Sequence, residues 1–489
     1  MTLSQSQAGD PESQSHGATQ VTVMSKRAVV SGTLGSALEY FDFTVYGLLA
    51  ATLFPKLFFH DLGPSAGLLA SFATFGAGFL ARPLGAIVFG HLGDKYGRRP
   101  VLHLTLLLMG VSSVVIGLLP TGQGIVIASI LVGLRFLQGF SLGGEATGSQ
   151  LMVMEHAPSN RRGFFGSIPS SGSPISQVCA NLLLVLLTSV LTEQQWESWG
   201  WRLPFLMSIA IVAVAAVVRM KLDETPVFTV VKDDVQQAGA IERDSGLGVV
   251  AAFPKTVFLL TLAWGGVLST FYLVTVYGLS LMKSEGGMQS NTAFLILVVG
   301  SALAVPACLF GGWISDRVGR RKTILTALAG CAIGMGAFFS FMHFGSVPLV
   351  GLAVIIAMCS TQLAGGPYAA FYAEQFPTKY RFSGSAISIT FSNLVFSAPA
   401  PFVATALADS FGIYAVMALT LVIIALSAFV ITRLREGGGI DLEEIGDTAA
   451  GSVDQAESGA VQSPTTSDFE EMDRTIPAQS RPEQKLLTD

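Results

Sequence analysis

Glu39, Asp42 and Tyr46 stand at i, i+3 and i+7 inside an apolar stretch, a spacing that puts all three on one face of a helix. Two carboxylates that close disfavour joint ionisation, so the pair is expected to hold one exchangeable proton, the property a proton-coupling group needs. Asp42 is the first choice because Phe41 and Phe43 flank it; the alternative is that either acid pairs with a basic neighbour and never titrates. Arg135 lies about 16 Å into a later apolar stretch at 1.5 Å per residue, close to its middle. Its planar fork suits a carboxylate, and Gln138 shares its face and could add a hydrogen bond. Arg82 sits about 18 Å before Asp94, either as a second anion-binding group or as a donor to carbonyls freed by Pro83. Each buried charge costs about 2.5 to 3.5 kcal/mol on membrane-insertion scales, so each needs a reason to be there. Glu39 and Asp42 against Arg82 and Arg135 sum to zero. An anion entering such a site would add an unpaired charge unless a proton came with it; a zwitterion would also fit.

The elements that must position these groups follow from composition. The chain of 489 residues is 51% hydrophobic, carries only 12% charged side chains and has 33 Phe. Apolar stretches long enough to cross a bilayer lie near 27–50, 66–92, 100–119, 124–148, 164–190, 203–219, 254–281, 292–314, 322–342, 347–370, 382–407 and 410–432. The expected fold class is therefore an all-α membrane protein of twelve transmembrane helices. Residues 1–25 read as a polar cytoplasmic tail without a signal peptide, and 433–489 as a second, acidic tail without heptads; both are expected to be disordered. Cys179, Cys308, Cys331 and Cys359 all fall inside apolar stretches and form no CxxC, so neither a disulfide nor a metal site is expected. Lys56, Arg202 and Lys283 would lie on one side and nearly all other basic residues on the opposite, which by the positive-inside rule puts both termini in the cytoplasm.

An internal repeat organises the spans. "GHLGDKYGRRP", Gly90 to Pro100, is matched by "GWISDRVGRRK", Gly312 to Lys322, and "EHAPSNRRG", from Glu155, by "EQFPTKYRF", from Glu374. Two motifs at nearly one offset imply a duplicated six-helix unit, a first half at 26–219 and a second at 254–432, joined by a cytoplasmic loop at 220–253. An Asp at a helix end, a Gly turn and two Arg can dock against another helix end. Asp94, Arg98, Arg99, Asp316, Arg320 and Arg321 are thus expected to latch the cytoplasmic face, with Glu155 and Glu374 as partners and Glu145, about 15 Å beyond Arg135, belonging to the same gate. The alternative is that these charges only set topology.

Parallel six-helix repeats describe the major facilitator architecture. The two loops resemble that superfamily's motif between helices 2 and 3 and its copy between 8 and 9, and "RFLQGFSLGGE", Arg135 to Glu145, resembles its helix 4 motif. "GSALEYFDFTVYG", "FLARPLGAIVFGHLGDKYGRR", "WGWRLPFLMS", "LDETPVF" and "YAEQFPTKYRFSG" together resemble the metabolite:proton symporter family, whose members include transporters for α-ketoglutarate, citrate, shikimate and proline or betaine. The resemblance implies import of a small organic acid with protons across a bacterial-type cytoplasmic membrane by a monomer that needs no cofactor and binds no nucleic acid. A proline- or betaine-type symporter is the alternative. In that fold helices 5, 7, 10 and 11 face or flank the pore, which makes Gln177, Asn181, Tyr272, Tyr277, Gln362, Tyr368 and Asn393 cavity candidates, with packing as the plainer role of each.

Enzymatic readings fail on context. "GFSLG", Gly139 to Gly143, matches GxSxG but lies within an apolar helix rather than a strand-to-helix elbow, and no Walker loop or HExxH is present. Helix 5 reads "SGSPISQ", which departs from the Gly-Pro-Gly-Gly signature of drug antiporters, and the heptad-free tail argues against an osmosensor.

Overall fold

The computed structural model describes residues 33, 37, 40–96, 98–122, 124–143, 157–210, 248–377 and 380–437, with backbone only at 90, 93–96, 98–100, 102, 103 and 159. Lipid offers no partner for a peptide N–H or C=O, so a spanning segment must bond its backbone internally. The apolar stretches do so as helices. They are α1 (40–52), α2 (Pro64–Tyr96), α3 (Arg98–Leu118), α4 (Ile125–Leu142), α5 (Arg162–Val190), α6 (203–210), α7 (Pro254–Ser284), α8 (Ser290–Val318), α9 (Arg320–Met342), α10 (Val347–Gly365), α11 (Arg381–Phe411) and α12 (Ile413–Arg433). Among the described residues nine of these are long and apolar enough to cross a membrane, and α3 contributes a shorter apolar helix, Leu104–Leu118. No strand occurs among the described residues.

The helix surfaces confirm the solvent. Leu118, Ile125, Val190, Ile333, Phe411 and Val422 are exposed on the outside of the bundle, an apolar coat that water would not tolerate over so wide an area and that lipid covers. The interior is built by close helix crossings that only glycine permits. A Cβ on Gly139 of α4 would lie 1.8 Å from the Gly78 carbonyl of α2, and one on Gly85 of α2 would lie 1.9 Å from the Phe140 carbonyl. The repeat reproduces this contact: Gly311 of α8 faces the Leu363 carbonyl of α10 at 2.2 Å on the same construction.

Several helices are broken where the two halves meet. Pro169 lies inside α5, which re-forms after Ser171. One-turn π segments interrupt α7 at Leu273–Tyr277 and α11 at Asn393–Ser397, a feature common at functional sites. Gly319, with φ of 101°, lets α8 stop and α9 start within one residue, which explains why the repeated loop carries a glycine there.

Candidate functional site

At the centre of the first half, α1 brings Asp42 against α3 and α6. Asp42 is 3% exposed. Its Oδ1 accepts from Ser208 Oγ at 2.6 Å and its Oδ2 from Ser113 Oγ. Ser113 in turn accepts from Gln138 Nε2 at 2.6 Å, and Gln138 Oε1 accepts from Arg135 Nη1 at 3.1 Å. Asp42 and Arg135 are therefore joined through two neutral side chains, with no direct ion pair between them among the described residues.

Arg135 is fully buried, its guanidinium 3.7 Å above the Phe43 ring and 4.3 Å from the Tyr46 ring centre. Arg82, half-buried, approaches the same Phe43 ring at 4.2 Å and Phe79 at 4.8 Å. The two guanidiniums thus lie no more than about 8 Å apart, close enough to repel by about 2 kcal/mol at an effective dielectric of about 20. The aromatic faces offset part of that repulsion. They do not supply hydrogen bonds: Nε and Nη2 of Arg135 and Nε of Arg82 are buried without a partner. The Tyr46 hydroxyl donates to Thr74 Oγ1 at 2.7 Å.

Beside this cluster a small cavity of about 10 Å³ lies between the halves, lined by Tyr40, Phe43, Thr44, Phe75 and Gln177 from the first and by Tyr272 and Thr275 from the second. That is room for about one water. Asn181 stands one turn beyond Gln177, bonded to its carbonyl at 2.8 Å, with its own Oδ1 buried and unpartnered. Tyr277 instead lines a second cavity of about 380 Å³ at the far end of α7, with Glu285 and Asp409. Tyr368 packs on Trp264 and Tyr372 at 4.9 and 4.8 Å, Gln362 is half-buried against Gly365, and Asn393 bonds Ile389 and Ser397 at the start of the α11 π segment.

Polar contacts tie the helices together at both ends of the bundle. At one end Ser65 of α2 bonds Asp409 of α11 across the halves, and Lys56 pairs with Glu197. At the other, Asp316 of α8 accepts from the backbone N–H groups of Gly163 and Phe164, both at 2.8 Å, and so caps the first turn of α5 from the opposite half. Arg320 pairs with Asp316 and reaches Glu374 Oε1 at 3.4 Å. The cross-half partner of Asp316 is thus a helix N-terminus, while Glu374 is bonded to Arg320 of its own half and feels the charge of Arg162 across the halves. Burial of Glu374 pushes its carboxyl up to about 7 against the opposing pull of Arg320. Its Oε2 has no partner. Glu436, just beyond α12, accepts from the N–H groups of Arg320 at 2.7 Å and Arg321 at 2.9 Å, capping α9. Glu39, Glu145 and Glu155 lie outside the described residues, as do the side chains of Asp94, Arg98 and Arg99.

Three participants carried little signal in the sequence. Ser113 and Ser208 are ordinary hydroxyls in apolar helices, where a serine usually bonds its own backbone, and Glu436 sits in a tail that reads as solvated. A hydroxyl facing the acid from each of two other helices becomes visible only after the helices are packed.

The chain matches the family description Major Facilitator Superfamily over residues 32–399. It is 35% identical over 404 residues to the inner membrane metabolite transport protein YhjE of Escherichia coli, covering 80% of this chain and 89% of that one. It is 34% identical to the shikimate transporter of the same organism, covering 79% and 88%, and 32% identical to the proline/betaine transporter of Salmonella typhimurium, covering 76% and 75%. Its fold is similar to the partially occluded inward-open xylose transporter XylE of E. coli, with a TM-score of 0.67 at 16% identity over 85% of this chain and 98% of that one.

Proposed function

The chain belongs to the major facilitator superfamily, and from that membership we propose that it imports a small carboxylate together with a proton by alternating access. It is a membrane transporter of metabolites and not an enzyme. The observation that carries the finer reading is the arginine pair. Arg135 and Arg82 stack on Phe43 and keep three buried N–H donors unpartnered, while Asp42, the only acid near them among the described residues, is already occupied by two serines. Unpartnered donors on two like charges favour an anion, and an Arg fork favours a carboxylate.

The energetic role of the proton follows. With Glu39 and Asp42 both ionised, the four charges of Glu39, Asp42, Arg82 and Arg135 sum to zero. Protonating Asp42 leaves one net positive charge, which attracts an incoming anion and offsets the cost of burying it. Proton first and carboxylate second is therefore the favoured order.

Opening and closing fall to the two ends. Asp316 on the α5 N-terminus shuts the end that bears the repeated loops, which the basic residues of those loops assign to the cytoplasm. Losing that cap exposes the site inward, and breaking the contact of Ser65 with Asp409 exposes it outward. The test is uptake of a carboxylate panel with proline and betaine by reconstituted protein, with and without an inward proton gradient. Gradient-dependent accumulation of a carboxylate is expected. Accumulation of betaine alone would overturn the reading.

A further inference from the structure

The bridge between Asp42 and Arg135 has a direction. Arg135 can only donate, which fixes the Gln138 amide with its oxygen toward Arg135 and its nitrogen toward Ser113. Gln138 Nε2 therefore donates to Ser113 Oγ. Ser113 has one proton and two acceptors within reach, Asp42 Oδ2 and the Met109 carbonyl at 3.0 Å.

When Asp42 is ionised, the Ser113 proton points at its carboxylate, and every bond in the chain runs from the guanidinium to the acid. When Asp42 takes a proton, that proton lies on Oδ2 and is donated to Ser113 Oγ, whose own hydrogen turns to Met109. The serine oxygen then accepts from both Asp42 and Gln138, so all partners stay satisfied without movement of a heavy atom. The charge at the end of the chain has gone, and Arg135 has lost the acid it was polarised toward.

We propose that Ser113 and Gln138 are positioning residues that pass the protonation state of Asp42 to Arg135, and so make the anion affinity of Arg135 depend on the proton. The inference rests on the carboxylate:proton reading of the site and adds residues for which that reading has no role. Among the described residues the charged group that acts on Asp42 is Arg135 on α4, with Arg82 on α2 and Tyr46 on α1 packed about Arg135; α3 and α6 contribute Ser113 and Ser208, and Glu39 lies outside the described residues.

The test needs no substrate. The purified full chain in lipid vesicles is titrated while its infrared carboxyl bands are followed, and the band that Asp42→Asn removes is assigned to Asp42. Ser113→Ala takes away one of two donors to the charged form, so the midpoint of that band moves to higher pH by about one unit, and Ser113→Thr returns it. Arg135→Gln also moves the midpoint up. In a Gln138→Leu background the same Arg135→Gln change moves it by less than half as much, because part of the coupling has already been cut.

An Arg135→Gln shift that is undiminished in the Gln138→Leu background would mean that the two charges sense each other through space alone, and would overturn the bridge. So would a protein in which Asp42→Asn removes no titrating band. Failure of the function is read separately: a wild type whose titration shows the bridge but which accumulates no carboxylate under a proton gradient would sink the transport reading and leave the bridge standing.

Discussion

Arg135→Lys separates the charge of the proposed binding group from its shape. Lysine keeps the positive charge and the apolar stem but presents a point donor instead of a planar fork. In the wild type the guanidinium spends one bond on Gln138, at 3.1 Å, and keeps Nε and Nη2 unpartnered, so two parallel bonds to a carboxylate are available. A lysine ammonium in the same burial replaces them with one, and it loses the flat contact with Phe43 at 3.7 Å. One lost hydrogen bond to a charged group costs about 1.5 to 3 kcal/mol, or about 10- to 150-fold in affinity. The assay is initial-rate uptake, into proteoliposomes under a fixed inward proton gradient, of whichever carboxylate the wild type accumulates, with KM and Vmax determined separately. KM is expected to rise within that range. A KM within threefold of wild type, in protein that elutes as a single folded species, would show that Arg135 does not hold the substrate.

Other consequences concern the gate and the packing. Glu374 has a folded-state value of about 7 against 4.5 for the free side chain, so the closed gate binds its proton more tightly than an opened, hydrated one. Its contribution to closure is therefore complete below about 4.5 and lost as pH rises through about 7; distance measurements between spin labels at the ends of α5 and α8 should show that trend, and Glu374→Gln should flatten it. Glu436→Gln weakens the cap on α9 by about 1 kcal/mol and should lower the melting temperature while leaving the α5–α8 distance distribution unchanged, since the contact lies within the second half. Gly139→Ala forces a Cβ to within 1.8 Å of a backbone carbonyl and should yield protein with a sharply lowered melting temperature, whereas Gly133→Ala on the same helix, with open space around it, should not.

The periodicity and length of the apolar stretches made the helices legible, since lipid leaves a polar backbone no other solution. The repeat was legible because the loop motif must recur in both halves. The intramembrane charges announced themselves by their cost, and Asp42, Arg135 and Gln138 do converge. What the sequence concealed is pairing. Asp42 and Arg135 were readable as opposite charges, but nothing in the spacing of one helix reveals that hydroxyls from α3 and α6 stand between and beside them. The same holds at the gate. Asp316 could be read as an acid in search of a base, and its cross-half partner is two backbone N–H groups, which every residue but proline carries and no motif advertises. Tyr277 illustrates the converse: a polar residue on a pore-flanking helix, it opens on a different cavity because it sits too far along α7.

The central claim is that one proton accompanies each carboxylate and that Asp42 carries it. The most direct measurement records radiolabelled carboxylate and internal pH together in the same vesicles, for wild type and for Asp42→Asn, with the membrane potential clamped. Wild type should acidify the lumen as it accumulates the acid; Asp42→Asn should still exchange labelled for unlabelled carboxylate across the membrane but neither accumulate it nor acidify. Accumulation by Asp42→Asn at the wild-type level, with the same acidification, would contradict the account.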